Sequence, residues 1–162
     1  MTKLRQEILK ILKEDARYSA AYIAKILGEK ESVVKKEISA LEESGVIVKY
    51  TVISDDEKAE KTDVEALIEV KVSPMQKHGF DSIAEDIYQF DEVKSVYLMS
   101  GAYDLLVIIE GKTLKEVARF VSEKLSVMDN VLSTATHFIL KKYKTEGVCM
   151  KSNEIKRQPV MA

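Results

Sequence analysis

The chain carries a single cysteine, Cys149, in 162 residues, so no internal disulfide can hold it together. It has two prolines and six glycines, too few for a loop-built or low-complexity architecture, which points to helices and strands instead. No apolar run approaches the ~18 residues that a membrane-spanning helix needs. The opening segment MTKLRQEILK is charged and lacks the apolar stretch of a signal peptide. A cytoplasmic protein without a membrane partner is the expectation. Only two histidines occur, His78 and His137, far apart and without a Cys/His/Asp cluster, so no metal site is expected. Cys149 has no histidine nearby in sequence, which argues against a catalytic thiol. There is no phosphate-cradling glycine loop, no Walker lysine and no dinucleotide fingerprint, so neither a cofactor nor an enzymatic activity is expected.

What is present is a mixed composition of 46% hydrophobic and 32% charged residues with a net charge of −2. Such a chain has enough apolar material to build a core and is not disordered by composition. A net negative charge is not a nucleic-acid signature, but the charge is unevenly spread. Residues 1–54 hold 10 Lys/Arg against 8 Asp/Glu, and the remainder holds 15 against 19.

The first third reads as three helices. Leu4, Ile8, Ile11 and Leu12 lay one apolar stripe along the first. Ser19 is placed to N-cap a second, short helix burying Ile23, Ile26 and Leu27 and ending at Gly28. A third, over about residues 30–44, turns Val34, Ile38 and Leu41 inward and is closed by Gly45. Residues 46–53 then read as β-structure, a candidate wing. The segment SDDEKAEKT, 54–62, reads as a solvated linker between an N-terminal domain of residues 1–53 and a second domain of 63–144.

In the second domain the period changes to two. Val64, Ala66, Ile68, Val70 and Val72 alternate with Glu65, Leu67, Glu69 and Lys71, the pattern of a half-buried strand. Phe80, Ile83, Ala84 and Ile87 follow at helical spacing. Two strands, 93–99 and 103–110, are joined across Ser100-Gly101-Ala102. Thr113 and Glu116 form a capping box for a helix burying Leu114, Val117, Ala118, Val121 and Leu125. A last strand over 130–142 puts Thr134 and Thr136 on one face and Ser133, Ala135 and His137 on the other. This order is that of an α+β, ferredoxin-like βαββαβ sandwich. Its two helices cover one sheet face, and the other face calls for a partner subunit. Tyr88, Phe90 and Tyr97 read as core or dimer-face aromatics, His137 as a strand residue satisfied by a neighbour, and 145–162 as a flexible tail.

A helix-turn-helix works because its second helix enters the major groove with its outer face. On the 30–44 helix that face carries Ser32, Val33, Lys35, Lys36 and Ser39, with lysines suited to phosphates or guanine edges and hydroxyls that bond either way. The segment SAAYIAKILGEKESVVKKEISALEESGVIVKY resembles the DNA-binding domain of the Lrp/AsnC (feast/famine) transcription regulators. SGAYDLLVIIEG resembles that family's Gly-x-Tyr-Asp hairpin, and VLSTATHFILKKYK its final strand. The resemblance implies a winged helix-turn-helix joined to a RAM-type sensor domain that binds a small amino-acid effector. It implies double-stranded DNA as a partner and a homodimer that assembles further to a tetramer or octamer. It also implies an effector site in which Gly101 admits the ligand to the backbone, Asp104 meets an ammonium group, and Thr134 and Thr136 donate hydroxyl bonds, with Ser100 and Tyr103 beside them. The chain departs from the family pattern at Lys30 and Glu31, where a small polar residue and a proline are usual, and at Glu37, where a basic residue is common. With Glu31, Glu42 and Glu43 nearby, weak DNA binding by a single subunit and reliance on avidity are expected. Two alternatives share the architecture: a metabolite sensor that has lost DNA binding, and a sirohaem-decarboxylase-like enzyme.

Overall fold

A computed structural model describes residues 1–73 and 79–150. The chain divides into two compact units, Met1–Val52 and a second beginning at Ile53. His78 and the tail from Lys151 lie outside the described residues.

The first unit consists of α1 (Lys3–Glu14), α2 (Ala20–Leu27) and α3 (Glu31–Glu43). The Thr2 and Ser19 hydroxyls cap α1 and α2 by accepting from the backbone N–H of Arg5 and Tyr22. Gly28, at φ +69°, supplies the left-handed residue that ends α2, a conformation costly for a residue with a Cβ. The turn to α3 is therefore only three residues long. The core is Ile8, Leu12, Ile23, Ala24, Val34 and Leu41, with Leu4, Ile11, Leu27 and Ile38 packed around it. Ile26, expected inside, is half exposed, and Ala24 takes the buried place. On so short a helix one stripe meets the neighbours, and Ala20, Ile23, Ala24 and Leu27 fill it. Replacing the fully buried Leu41 by alanine should cost about 2–5 kcal/mol. Thermal melting would read this as loss of the first unit's transition alone.

Residues 46–53 form no strand, contrary to expectation. The physical reason is pairing: a wing needs a neighbour to take its backbone groups, and none of the described strands pairs with it. Val48 and Val52 are almost fully exposed. Ile47 is held by its N–H donating to the Leu41 carbonyl at 3.0 Å and by packing on the core, and Tyr50 by donating its hydroxyl to Glu42 at 2.9 Å.

The second unit has β1 (Val64–Val72), α4 (Asp81–Tyr88), β2 (Val93–Leu98), β3 (Leu105–Gly111), α5 (Leu114–Phe120) and β4 (Val131–Phe138). The antiparallel sheet runs β2-β3-β1-β4, which is the ferredoxin-like order. Alternation along β1 buries Ala66, Ile68, Val70 and Val72 against Ile83, Ile87, Val117, Phe120 and Leu125. The strand's other side presents Glu65, Leu67, Glu69 and Lys71, beside Leu106 and Ile108 of β3, on the face with no helix. α5 continues into a π-helical turn, Val121–Leu125. That turn advances the register, so Phe120 and Leu125 are buried while Leu114 and Ala118, expected inside, face solvent. The capping box forms with a shift: Thr113 accepts from the Glu116 N–H, while the Glu116 carboxylate accepts from the N–H of Lys112.

β4 is shorter than expected, and the loop between β2 and β3 is longer, covering residues 99–104. Beyond β4 the chain is ordered into a small hairpin, β5 (Lys144–Thr145) and β6 (Val148–Cys149), turned by Glu146 and Gly147, both at positive φ. The first residues assigned to a tail thus belong to a hairpin of the type that takes left-handed residues at both turn positions. Of the aromatics, Phe90 packs edge-on to Phe120 with ring centroids 5.5 Å apart, while Tyr88 and Tyr97 are exposed. His137 lies 3.4 Å from the Glu69 carboxylate on the helix-free face.

Residues 55–61 form a turn anchored to the second unit by ion pairs. Lys141 reaches Glu57 at 2.7 Å, Lys142 reaches Asp56 at 3.1 Å and also Glu65, and Lys61 reaches Glu110 at 2.5 Å. A cleft of about 350 Å³ opens between this turn and the end of β4. Burial works against the charge on Lys142, but its bonds to Glu65 and Asp56 outweigh it and its pKa is raised. The bond from Lys61 holds the Glu110 carboxyl below its ordinary range. A depressed carboxyl pKa contributes stability at neutral pH that is lost as pH falls through the folded value. The protection of amides in residues 55–61 against hydrogen exchange, relative to their intrinsic rates, should therefore fall on acidification below about pH 4, and in Lys142→Gln at pH 7. Unchanged protection in both would show that the ion pairs do not hold the turn.

Candidate DNA-reading face and effector site

The recognition helix is α3, held by Val34 and Leu41 in the core and by a three-residue turn from α2. Ser32, Lys35, Lys36 and Ser39 are exposed, as expected, and Val33 is half-buried beside Val34. Among the described residues Lys36 has no ion-pair partner, whereas Lys35 pairs with Glu31 one turn earlier at 2.7 Å. That pair is open to solvent and worth a few tenths of a kcal/mol, so phosphate can displace it.

The acidic residues of this helix are less of an obstacle than the sequence implies. Glu37 is drawn away by Arg5 of α1, whose Nε donates to it at 2.5 Å, and its side chain is only 22% exposed. Glu42 accepts from Tyr50, whose own pKa is raised by burial and by that carboxylate. Glu31 sits in the first turn, where a negative charge favours the helix. Neither the Arg5–Glu37 nor the Tyr50–Glu42 contact was foreseeable, since no periodic pattern connects residues that far apart in the chain.

The suspected effector residues gather around the C-terminal end of β1. The 99–104 loop is closed by the Met99 N–H donating to the Asp104 carbonyl at 2.8 Å. Asp104 extends the β1–β3 ladder: its N–H donates to Val70 at 3.1 Å and its carboxylate accepts from the Val72 N–H at 2.9 Å. Ser100 and Gly101 are exposed and Tyr103 half-buried. A Cβ on Gly101 would meet nothing within 4 Å, and its φ lies outside the left-handed region. Neither backbone strain nor crowding within the chain calls for glycine there.

Thr134 and Thr136 stand on the other side of β1, paired with Val70 and Ile68. They point to the helix-covered face, where Thr134 shares a hydroxyl contact of 3.3 Å with Ser126. With β1 between them, the loop and the threonines are separated by two strand spacings, roughly 10 Å. Two clefts in this unit, the one beside residues 55–61 and another of about 560 Å³ between β3 and α5, are lined by other residues.

A three-helix unit with an exposed recognition helix and a ferredoxin-like domain with an open sheet face define a two-domain DNA-binding regulator. The sequence matches a winged helix-turn-helix DNA-binding model over residues 1–48 and the Lrp/AsnC ligand-binding domain over 65–149. The chain belongs to the Lrp/AsnC family of transcriptional regulators. It is 47% identical to the uncharacterized HTH-type transcriptional regulator YugG of Bacillus subtilis, over all of this chain and 98% of that one. It is 32% identical to the HTH-type transcriptional regulator LrpA of Pyrococcus abyssi, over 85% of this chain and 94% of the relative. A transcriptional regulator of Neisseria meningitidis, solved as its L-Met complex, shares the fold at a TM-score of 0.71 and 21% identity, covering 90% and 93% of the two chains. Among the described residues no helix is long and apolar enough to cross a membrane.

Proposed function

We propose that this regulator reads a roughly palindromic duplex through Ser32, Lys35, Lys36 and Ser39, as a homodimer whose DNA affinity responds to a small amino acid. The observation that carries the reading is the α3 surface itself. Lys36 is exposed and has no ion-pair partner among the described residues, hydroxyls flank it, and two of the neighbouring carboxylates are held by other side chains. Val33, half-buried, contributes apolar contact at the rim of that surface.

Dimerisation through the helix-free face is supported by Leu67, Leu106, Ile108 and Tyr97, which lie on that face. Pairing there brings two recognition helices into register with successive major grooves, about one helical turn of DNA apart or a multiple of it. The effector reading is supported by the Neisseria meningitidis relative's L-Met complex and by the open approach at Gly101. Because β1 separates Asp104 from Thr134 and Thr136, one small ligand takes the loop from one subunit and the threonine strand from another. Further assembly of dimers into a tetramer or octamer supplies that second subunit. The ligand acts by its difference in affinity for two assembly states or two settings of the DNA-binding units.

Light scattering with each amino acid in turn tests the assembly switch. The expected result is a change in mass with one or a few of them; an invariant mass with all would remove the switch. Gly101→Ala tests the effector site. It should leave the melting temperature within about 2 °C, since the Cβ fits, and weaken effector binding about tenfold or more. Calorimetric titration showing wild-type affinity would put the ligand elsewhere.

A further inference from the structure

We infer that Arg5 is a positioning residue for DNA binding, masking the Glu37 carboxylate so that an acid can sit within the recognition helix without repelling the phosphates. The inference rests on the proposed reading role of α3. Glu37 directly follows Lys36, which is on the reading face and has no ion-pair partner among the described residues, and a free carboxylate there would add a charge that repels the phosphates Lys36 attracts. Instead Arg5 Nε donates to Glu37 Oε2 at 2.5 Å, and the two side chains are 32% and 22% exposed. Both lie on the inner shoulders of their helices. Arg5 is one position past the core-packed Leu4, and Glu37 is one position before the core-packed Ile38.

The pair therefore does two things at once. It turns the charge toward α1 and away from the groove, and it fixes the rotation of α3 against α1, which decides where Lys36 and Ser39 point. Glu37 needs its partner because like charges meet across the interface when it is released. Arg5 is suited to the task because its planar guanidinium holds a carboxylate in one geometry and stays charged at every working pH.

The test uses the full chain and a duplex fragment bound by wild-type protein, followed by fluorescence anisotropy at low salt. Arg5→Ala should weaken binding about fivefold to tenfold. Arg5→Ala/Glu37→Gln should recover to within about twofold of wild type, because no carboxylate is left to mask. A double variant as weak as Arg5→Ala would mean that Arg5 acts on its own account and would overturn the masking role. An Arg5→Ala variant with wild-type affinity would do the same. The exchanged pair Arg5→Glu/Glu37→Arg keeps a bridge between α1 and α3 and so guards against a folding defect in the alanine variant. It should bind at least as tightly as wild type, and loss of binding by a folded exchange variant would also overturn the inference. Lys36→Ala in parallel separates the two levels: if it weakens binding while Arg5→Ala does not, the masking fails and the reading face stands. If Lys36→Ala has no effect, the reading face itself falls, and the masking with it.

Discussion

Lys36→Ala should lower DNA affinity about tenfold or more at low salt, and it should reduce the slope of log K against log salt by about one per subunit. The size follows from where the residue stands. Lys36 is exposed and has no ion-pair partner among the described residues, so its charge is available to a phosphate or a guanine edge. Lys35→Ala should cost less, because part of that charge is already spent on Glu31. In a dimer each substitution is felt twice, so a modest loss per contact becomes a large one for the complex. The fold should not notice, since Lys36 touches neither core cluster. An unchanged affinity in Lys36→Ala would mean that the outer face of α3 does not enter the groove.

Asp104→Asn should abolish the effector response, lowering ligand affinity tenfold or more, while leaving the domain folded. This variant separates the loop bond that Asp104 makes from the ammonium-binding role proposed for it. One carboxylate oxygen accepts from the Val72 N–H and holds the 99–104 loop to the end of β1; an amide oxygen can do that nearly as well. The other oxygen and the negative charge are what an ammonium group would recognise, and the amide lacks the charge. Asp104→Ala would lose both tasks, with the structural part costing about 1.5–3 kcal/mol for a hydrogen bond to a charged acceptor. Calorimetric titration and a thermal melt on the same samples distinguish the two. Retained effector affinity in Asp104→Asn would show that the carboxylate serves the loop alone.

Much of this architecture is legible in the sequence because its signals are local. The strict alternation through Val64, Ala66, Ile68, Val70 and Val72 can be only a half-buried strand, and it is one. Ser19, Gly28 and Thr113 announce helix ends by chemistry that acts within four residues. The misreadings have equally local causes. The π-turn at Val121–Leu125 breaks the 3.6 period, so counting by that period puts Leu114 and Ala118 inside and overlooks Phe120. The Glu146-Gly147 turn lacks the asparagine or aspartate that usually marks a two-residue hairpin, so β5 and β6 pass for tail. Residues 46–53 have strand-forming composition, but composition cannot supply a pairing neighbour.

The candidate sites divide along the same line. Exposure of Ser32, Lys35, Lys36 and Ser39 follows from helical geometry once Val34 and Leu41 are known to be inside. What becomes of Glu37 does not, because its partner Arg5 stands on another helix. Nor does the sequence show that Asp104 is already bonded to Val72, or that β1 stands between the loop and the two threonines. Those are facts of tertiary structure, and they are what lead to the proposal of a site shared between subunits.

The most direct test is the affinity of the purified wild-type protein for a panel of genomic duplex fragments, measured at several salt concentrations. A few fragments with a roughly palindromic core should bind far more tightly than the rest, with a preference that persists as salt rises and all affinities fall. Equal affinity for every fragment at low salt, or no binding to any, would contradict the account and leave a sensor that does not read DNA.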